Sequence, residues 1–324
     1  MRSTNDAKSR MNDWGKRRQP FIFILDFDLQ KPIVLGLEEV AEHRIVYDIL
    51  GFSNVQSASS TSKELQFSKF PISFELYCKR FELVQHHIAC GNTFLLNLTA
   101  PTRIETNYSL SDLFFGSTAK FKLLYDNFFV VFSPEIFIRI EDYTISSYPM
   151  KGTIDASIPN AEGQLLSDEK ESAEHATIVD LIRNDLSMVA SNVRVERYRF
   201  VDRIRTNEKE LIQISSKING CLDQDYRGHL GDILYKLLPA GSISGAPKKK
   251  TVEIIKEAEL YSRGYYTGVF GYFDGNRLES GVMIRFIENI DGTLYYKSGG
   301  GITASSNAES EYQELVNKVY VPLS

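Results

Sequence analysis

Four short segments rich in β-branched and aromatic residues follow one another in this chain: Phe121–Tyr125, Phe128–Phe132, Ile136–Ile140 and Tyr143–Tyr148. Such a succession reads as strands joined by short connections. A second group, Tyr265–Phe273, Arg277–Glu288 and Thr293–Lys297, reads as a meander with turns at Asp274-Gly275 and Asp291-Gly292. Further strands are predicted at Pro20–Asp28, Lys31–Leu35, Thr93–Ile104, Val193–Val201 and Glu210–Ile218. Helical periodicity marks Phe74–Ala89, ending at Gly91, and Ser167–Leu186, with Ser167 as its cap. It also marks Asp225–Leu238, Pro247–Glu259 and Ser306–Tyr320. Residues 1–19 are polar and predict an exposed helix or arm; residues 53–70, rich in Ser, Thr and Gln, predict a flexible loop. No Pro/Gly/Ser-rich linker divides the chain, so residues 1–324 read as one domain. The expected class is α+β, with mostly antiparallel sheets and helices packed on them.

A hydrophobic content of 43% over 324 residues is enough for a sizeable core. The net charge of −5 argues against nucleic acid as the main partner. Lys248-Lys249-Lys250 reads as a solvated helix start. Cys78, Cys90 and Cys221 fit neither a disulfide framework nor a CxxC site, which points to free thiols in a reducing compartment. No apolar run reaches membrane-spanning length and no signal core follows the N-terminal Arg and Lys, so the cytoplasm is the expected location.

Two helices carry paired carboxylates. Glu171, Glu174 and His175 are spaced i, i+3, i+4 on a face that Ile178 and Ile182 extend; Glu311, Glu314 and Lys318 share a face of the last helix. Carboxylates turned toward apolar neighbours need a partner or a metal. Four carboxylates on two helices suit a hard divalent cation such as Mg²⁺; the alternative is a pair of solvated helix faces. Lys151, between a strand and a polar loop, becomes a nucleophile only if its surroundings lower its proton affinity; otherwise it is a solvated lysine. Gly299-Gly300-Gly301, following a strand, suits either close backbone approach to an anion or a tight turn. The Gly/Ser-rich stretch 239–248 precedes a helix, yet no Walker or dinucleotide motif is present. Arg285, on a predicted strand, is a candidate carboxylate clamp or an outward-facing residue.

Taken together, ordered segments resemble the chorismate-utilising enzymes, specifically the component I subunit of aminodeoxychorismate synthase. They are Gly91–Leu98, Ser133-Pro134-Glu135, Pro149–Thr153, Asp168–His175, Val179–Asp185 and Gly241–Lys248. They continue with Tyr266–Gly268, Ile284-Arg285, Ser298–Ile302 and Glu311–Lys318, over roughly residues 70–324.

The resemblance implies two large antiparallel sheets flanked by helices, with chorismate and Mg²⁺ between them. It implies Glu174 and Glu311 as direct metal ligands, with Glu171 and Glu314 acting through water. It implies Arg285, Tyr266, Lys318 and the Gly300 and Gly301 backbone as carboxylate-binding groups, Ser244 and Gly245 in a substrate-lining loop, and His175 beside the reacting ring. Lys151 matches the lysine of aminodeoxychorismate synthases, where anthranilate synthases usually carry alanine. Glu135 matches the general acid and base. Ammonia is then expected from a separate glutamine amidotransferase subunit. The N-terminal region, about residues 1–70, reads as shortened relative to the family. The Leu-Leu-Glu-Ser element of the tryptophan pocket has no counterpart, and Ile154-Asp155-Ala156 stands where an arginine often follows the lysine motif. Anthranilate synthase component I and a non-catalytic chorismate-binding subunit are the competing readings.

Overall fold

The computed structural model describes residues 4–55, 63–205 and 210–323. Helix α1 (Thr4–Lys16) leads into strands β1 (Phe21–Leu25), β2 (Ile33–Gly36), β3 (Ile45–Ile49), β4 (Phe52–Ser53) and β5 (Phe67–Phe70). Then come α2 (Phe74–Ala89), β6 (Leu95–Thr106), α3 (Leu110–Gly116), β7 (Phe121–Tyr125), β8 (Phe129–Ser133), β9 (Ile136–Glu141), β10 (Thr144–Ser147) and β11 (Met150–Asp155). Helices α4 (Ala161–Ser167) and α5 (Glu169–Ser187) precede β12 (Ser191–Arg205) and β13 (Glu210–Cys221). The chain continues through α6 (Leu230–Leu237), β14 (Gly245–Ala246) and α7 (Lys248–Glu259). It closes with β15 (Val269–Phe273), β16 (Leu278–Val282), β17 (Phe286–Ile290), β18 (Thr293–Ile302) and α8 (Ala308–Asn317).

These strands form two nine-stranded antiparallel sheets. The first runs β11-β13-β10-β9-β16-β15-β1-β2, with β12 beside β13; the second runs β14-β6-β18-β17-β8-β7-β3-β4, with β5 beside β6. The expected α+β class with two large antiparallel sheets is what the chain adopts. Strand β1 shows how the layers stack. Phe21, Phe23 and Leu25 enter one core with Tyr77, Ile182, Leu234 and Leu315. Ile22 and Ile24, on the opposite face, pack with Phe121, Phe129 and Val131 of the second sheet. Both faces are covered, so β1 is apolar without alternation.

Several expectations need correction. The N-terminal helix is docked, not exposed: Ala7, Met11 and Gly15 are buried on one side of α1. A Cβ at Gly15 would stand 2.1 Å from the Arg227 carbonyl, so glycine permits the close approach. The predicted helix 167–186 is α5, but its cap is Asp168, which accepts from the Glu171 amide; Ser167 instead ends α4. The predicted helix 225–238 opens as a 3-10 turn at Tyr226–His229. The predicted strand 277–288 is also two elements: β16 lies in the first sheet and β17 in the second. The three residues between them carry the chain across, and Arg285 sits there with φ of 53°. Gly299, Gly300 and Gly301 lie within β18 rather than in a turn. Of the expected loop 53–70, residues 56–62 lie outside the described residues, and residues 67–70 form β5.

Candidate active site

Strands β6, β11 and β18, helices α5 and α8, and the segment 241–245 surround a cavity of about 480 Å³. Its walls hold five carboxylates (Glu135, Glu171, Glu174, Glu311 and Glu314) and four basic side chains (Lys151, Arg285, Lys297 and Lys318). Tyr266, Ser244, Gly245, Gly299 and Gly301 also border it. Gly300 and His175 do not stand among the lining residues.

Lys151 lies in β11 itself, not between a strand and a loop. The pairing with β13 shifts register between Lys151 and Thr153, and Gly152 there has φ of 65°. Such a bulge re-aims a side chain. A Cβ on Gly152 would come within 2.7 Å of Leu165 and 3.3 Å of Glu171 Oε2, so the glycine also makes room for that carboxylate. Lys151 Nζ bonds Glu174 Oε2 at 3.0 Å. Burial pulls the ammonium toward losing its proton, but the charge and hydrogen bond of Glu174, backed by Glu314 and Glu171, hold it above its ordinary value. The resting lysine is therefore a cation.

Glu135 follows β8 and is partly buried. Burial raises its proton affinity, against the Ser242 hydrogen bond and the charges of Lys151, Lys318 and Arg285. Ser242 Oγ donates to its Oε1 at 2.5 Å. A carboxyl held this way suits proton transfer to a group in the cavity. Glu171 is likewise raised, first by burial and then by the neighbouring Glu174 charge.

On α8, Ser306 Oγ donates to Glu311 Oε1 at 2.8 Å, and Lys318 Nζ contacts Glu314 and donates to the Gly299 carbonyl at 2.8 Å. A Cβ at Gly300 would stand 3.2 Å from Glu311 Oε2 and 3.5 Å from Glu314 Oε1, so this glycine leaves space between the two carboxylates. Gly245, with φ of 136°, would place a Cβ 1.8 Å from the Leu95 carbonyl and is required by its pairing with Leu96. Tyr266 is buried, with its phenol raised by that burial. The buried Arg285 Nε has no hydrogen-bond partner among the described residues. A guanidinium so placed is suited to an anion in the cavity.

His175 turns away from this space. Its Nε2 pairs with Ser216 Oγ at 2.6 Å, and burial, then the charges of Arg199 and Lys151, lowers it to about 4. It is a neutral, buried ring at neutral pH. The i, i+4 spacing groups it with Glu171, but α5 packs on β13 and takes that edge of the helix out of the cavity.

The carboxylate oxygens fit a hard cation in kind. Among the described residues, no group of three His, Cys, Asp or Glu side chains forms a ready-made metal site. That is compatible with Mg²⁺, which takes one or two carboxylates and keeps its waters. The charge balance of the walls adds a reason: a dianionic ligand here would leave excess negative charge for a divalent ion to offset.

Sequence reasoning missed Ser242, Lys297, Asn97 and Gln213, all of which border the cavity. Lys297 is 3% exposed, bonded to Glu288 and to the Arg263 carbonyl. A lysine buried in a strand covered on both faces there carries no signal in the sequence.

The profile of chorismate binding enzymes matches residues 36–324. The chain belongs to the chorismate-binding enzyme family. It is 52% identical over 312 residues to a Haemophilus influenzae protein called "Uncharacterized PabA-like protein", covering 96% of this chain and 95% of that one. It is 34% identical to anthranilate synthase component 1 of Acetivibrio thermocellus, over 76% of this chain and 52% of the relative. It is 32% identical to aminodeoxychorismate synthase component 1 of Salmonella typhimurium, over 75% of this chain and 56% of the relative. The chain thus spans about half the length of those two synthases. Among solved structures, the menaquinone-specific isochorismate synthase MenF of Escherichia coli shares the fold with a TM-score of 0.74 at 19% identity, covering 98% of this chain and 81% of that one. Anthranilate synthase component I of Streptococcus pneumoniae gives 0.68 at 25% identity, covering 91% and 70%.

Proposed function

We propose that this enzyme converts chorismate and ammonia to 4-amino-4-deoxychorismate, the precursor of p-aminobenzoate in folate synthesis. The observation that carries the reading is the amine of Lys151 in a cavity whose opposite acid is Glu135. A lysine at that position is the feature of the aminodeoxychorismate branch.

Arg285, Tyr266, Lys318 and the Gly301 backbone would receive the two carboxylates of chorismate. Glu174 and Glu311 would hold Mg²⁺ directly, with Glu171 and Glu314 acting through water. Held there, the ion would supply positive charge to offset the ring carboxylate. Lys151 must first pass the proton it holds against Glu174 to solvent. Its nitrogen then forms a bond to C2, both ring double bonds shift along the ring, and the C4–O bond breaks. Glu135 passes its proton to the departing hydroxyl, which leaves as water. Ammonia next bonds to C4, both ring double bonds shift back, the C2–nitrogen bond breaks, and its electron pair returns to Lys151. The new C4 ammonium returns a proton to Glu135. A covalent step at C2 in this way redirects substitution to C4. A separate glutamine amidotransferase is the proposed source of ammonia.

The test is a product analysis by liquid chromatography and mass spectrometry with chorismate, Mg²⁺ and ammonium. Aminodeoxychorismate, convertible to p-aminobenzoate by an added lyase, supports the reading. Anthranilate would assign the other branch, which several relatives represent.

A further inference from the structure

Glu135 borders two spaces. Beside the main cavity lies a chamber of about 20 Å³, walled by Ser147, Asp185, Leu186, Gly241 and Ser242 among others. That is room for one water-sized molecule. The Glu135 carboxyl therefore has a second direction available, and Ser242 Oγ sets the one it takes. Ser242 lies in the 3-10 turn Gly241–Ile243, within the connection between α6 and α7.

That connection is tied from behind. Asp185, near the end of α5, places its Oδ2 against Gly241, where a methyl group would come within 2.9 Å of it. Lys248 Nζ bonds Asp185 Oδ2 at 2.9 Å and the Leu237 carbonyl at 2.8 Å. One ion pair thus anchors both ends of residues 238–247 to α5. Its side chains are only 14% and 20% exposed, so it is better covered than the solvated bridges that contribute little. The helix-starting basic run is therefore not all solvated: Lys249 and Lys250 are exposed, and Lys248 is engaged.

We propose that Asp185 and Lys248 are positioning residues for the acid: they hold Gly241 and Ser242 in place, and through Ser242 aim the Glu135 carboxyl into the main cavity. The role rests on Glu135 being the acid of the proposed chorismate amination. Glu135 faces Ser242, Lys151, Lys318 and Arg285, and Asp185 faces Lys248.

The experiment compares Ser242→Ala, Asp185→Asn, their double variant, and Lys248→Met with Lys248→Arg. Ser242 donates to the carboxylate form, so its loss lets Glu135 keep its proton to higher pH. The alkaline limb of the kcat–pH profile should move upward in Ser242→Ala and in Asp185→Asn alike. In Asp185→Asn, kcat should fall about tenfold or more while KM for chorismate stays within about twofold. The double variant should be no worse than Ser242→Ala alone. Lys248→Arg should restore what Lys248→Met loses. An unmoved limb, or additive losses in the double variant, overturns the proposal. A second readout needs no turnover: the Glu135 carboxyl band in infrared difference spectra, assigned by its absence in Glu135→Gln. Its titration midpoint should rise in Asp185→Asn, and a midpoint equal to wild type overturns the positioning role. A raised midpoint in a protein that fails to aminate chorismate would instead reject the proposed reaction alone.

Discussion

At Lys151 the local chemistry works against the proposed role until something changes. Its ammonium is stabilised by Glu174, and a protonated amine does not attack carbon. Substrate, with or without a cation on the carboxylates, has to alter that balance. Lys151→Ala should abolish aminodeoxychorismate formation and leave chorismate binding measurable by titration calorimetry. Full activity in that variant would remove the covalent step from the mechanism. The lysine itself was legible in the sequence through its motif. Its environment was not, because the bulge at Gly152 and the carboxylate of Glu174, 23 residues away in sequence, meet only in the fold.

At the scale of elements, α5 and α8 bring their paired carboxylates to one cavity. Their spacing was readable from helix geometry; their convergence was set by the packing of α5 on β11 and β13 of one sheet and of α8 on β6 and β18 of the other. If these helices hold Mg²⁺, the ion should stabilise the folded protein by about 2.7 kcal/mol at a hundredfold excess over its dissociation constant. Thermal unfolding with and without Mg²⁺ measures this, and the rise should vanish in Glu174→Gln/Glu311→Gln. Unchanged stabilisation in that variant would place the ion elsewhere. A second element-scale device lies behind α7. Arg263 and Glu259, both 1% exposed, pair at 2.7 Å, and Arg263 also donates to the carbonyls of Ile243 and Asn97. It joins the 241–245 segment to β6. Arg263→Met should cost about 3–5 kcal/mol by leaving Glu259 buried and uncompensated. Urea unfolding would read that loss, and a change under about 1 kcal/mol would show that the pair relaxes. Neither Arg263 nor Glu259 stood out in the sequence, since an i, i+4 pair usually marks a solvated face.

At the scale of the whole molecule, His175 ties stability to pH. Its ring is buried neutral and lowered to about 4 from an ordinary 6.5, so the unfolded chain binds the proton more readily. Its contribution is complete above about 6.5 and is lost as pH falls toward about 4, on the order of 3 kcal/mol in full. Denaturant midpoints for wild type and His175→Gln between those limits isolate the effect, because the carboxylates titrate in both proteins. Parallel curves would show that the ring is not buried neutral. Among the described residues no helix is long and apolar enough to cross a membrane.

The sequence by itself determined the α+β class, most strand and helix positions, and the carboxylate, lysine and arginine motifs, because periodicity and local caps are properties of neighbouring residues. The tertiary structure alone decided which motifs meet. The break at Met283–Arg285 moves the chain from one sheet to the other, the packing of α5 on β13 removes His175 from the cavity, and α1 finds a partner in α6. Each outcome depends on contacts between residues far apart in the chain, where one-dimensional spacing carries no constraint.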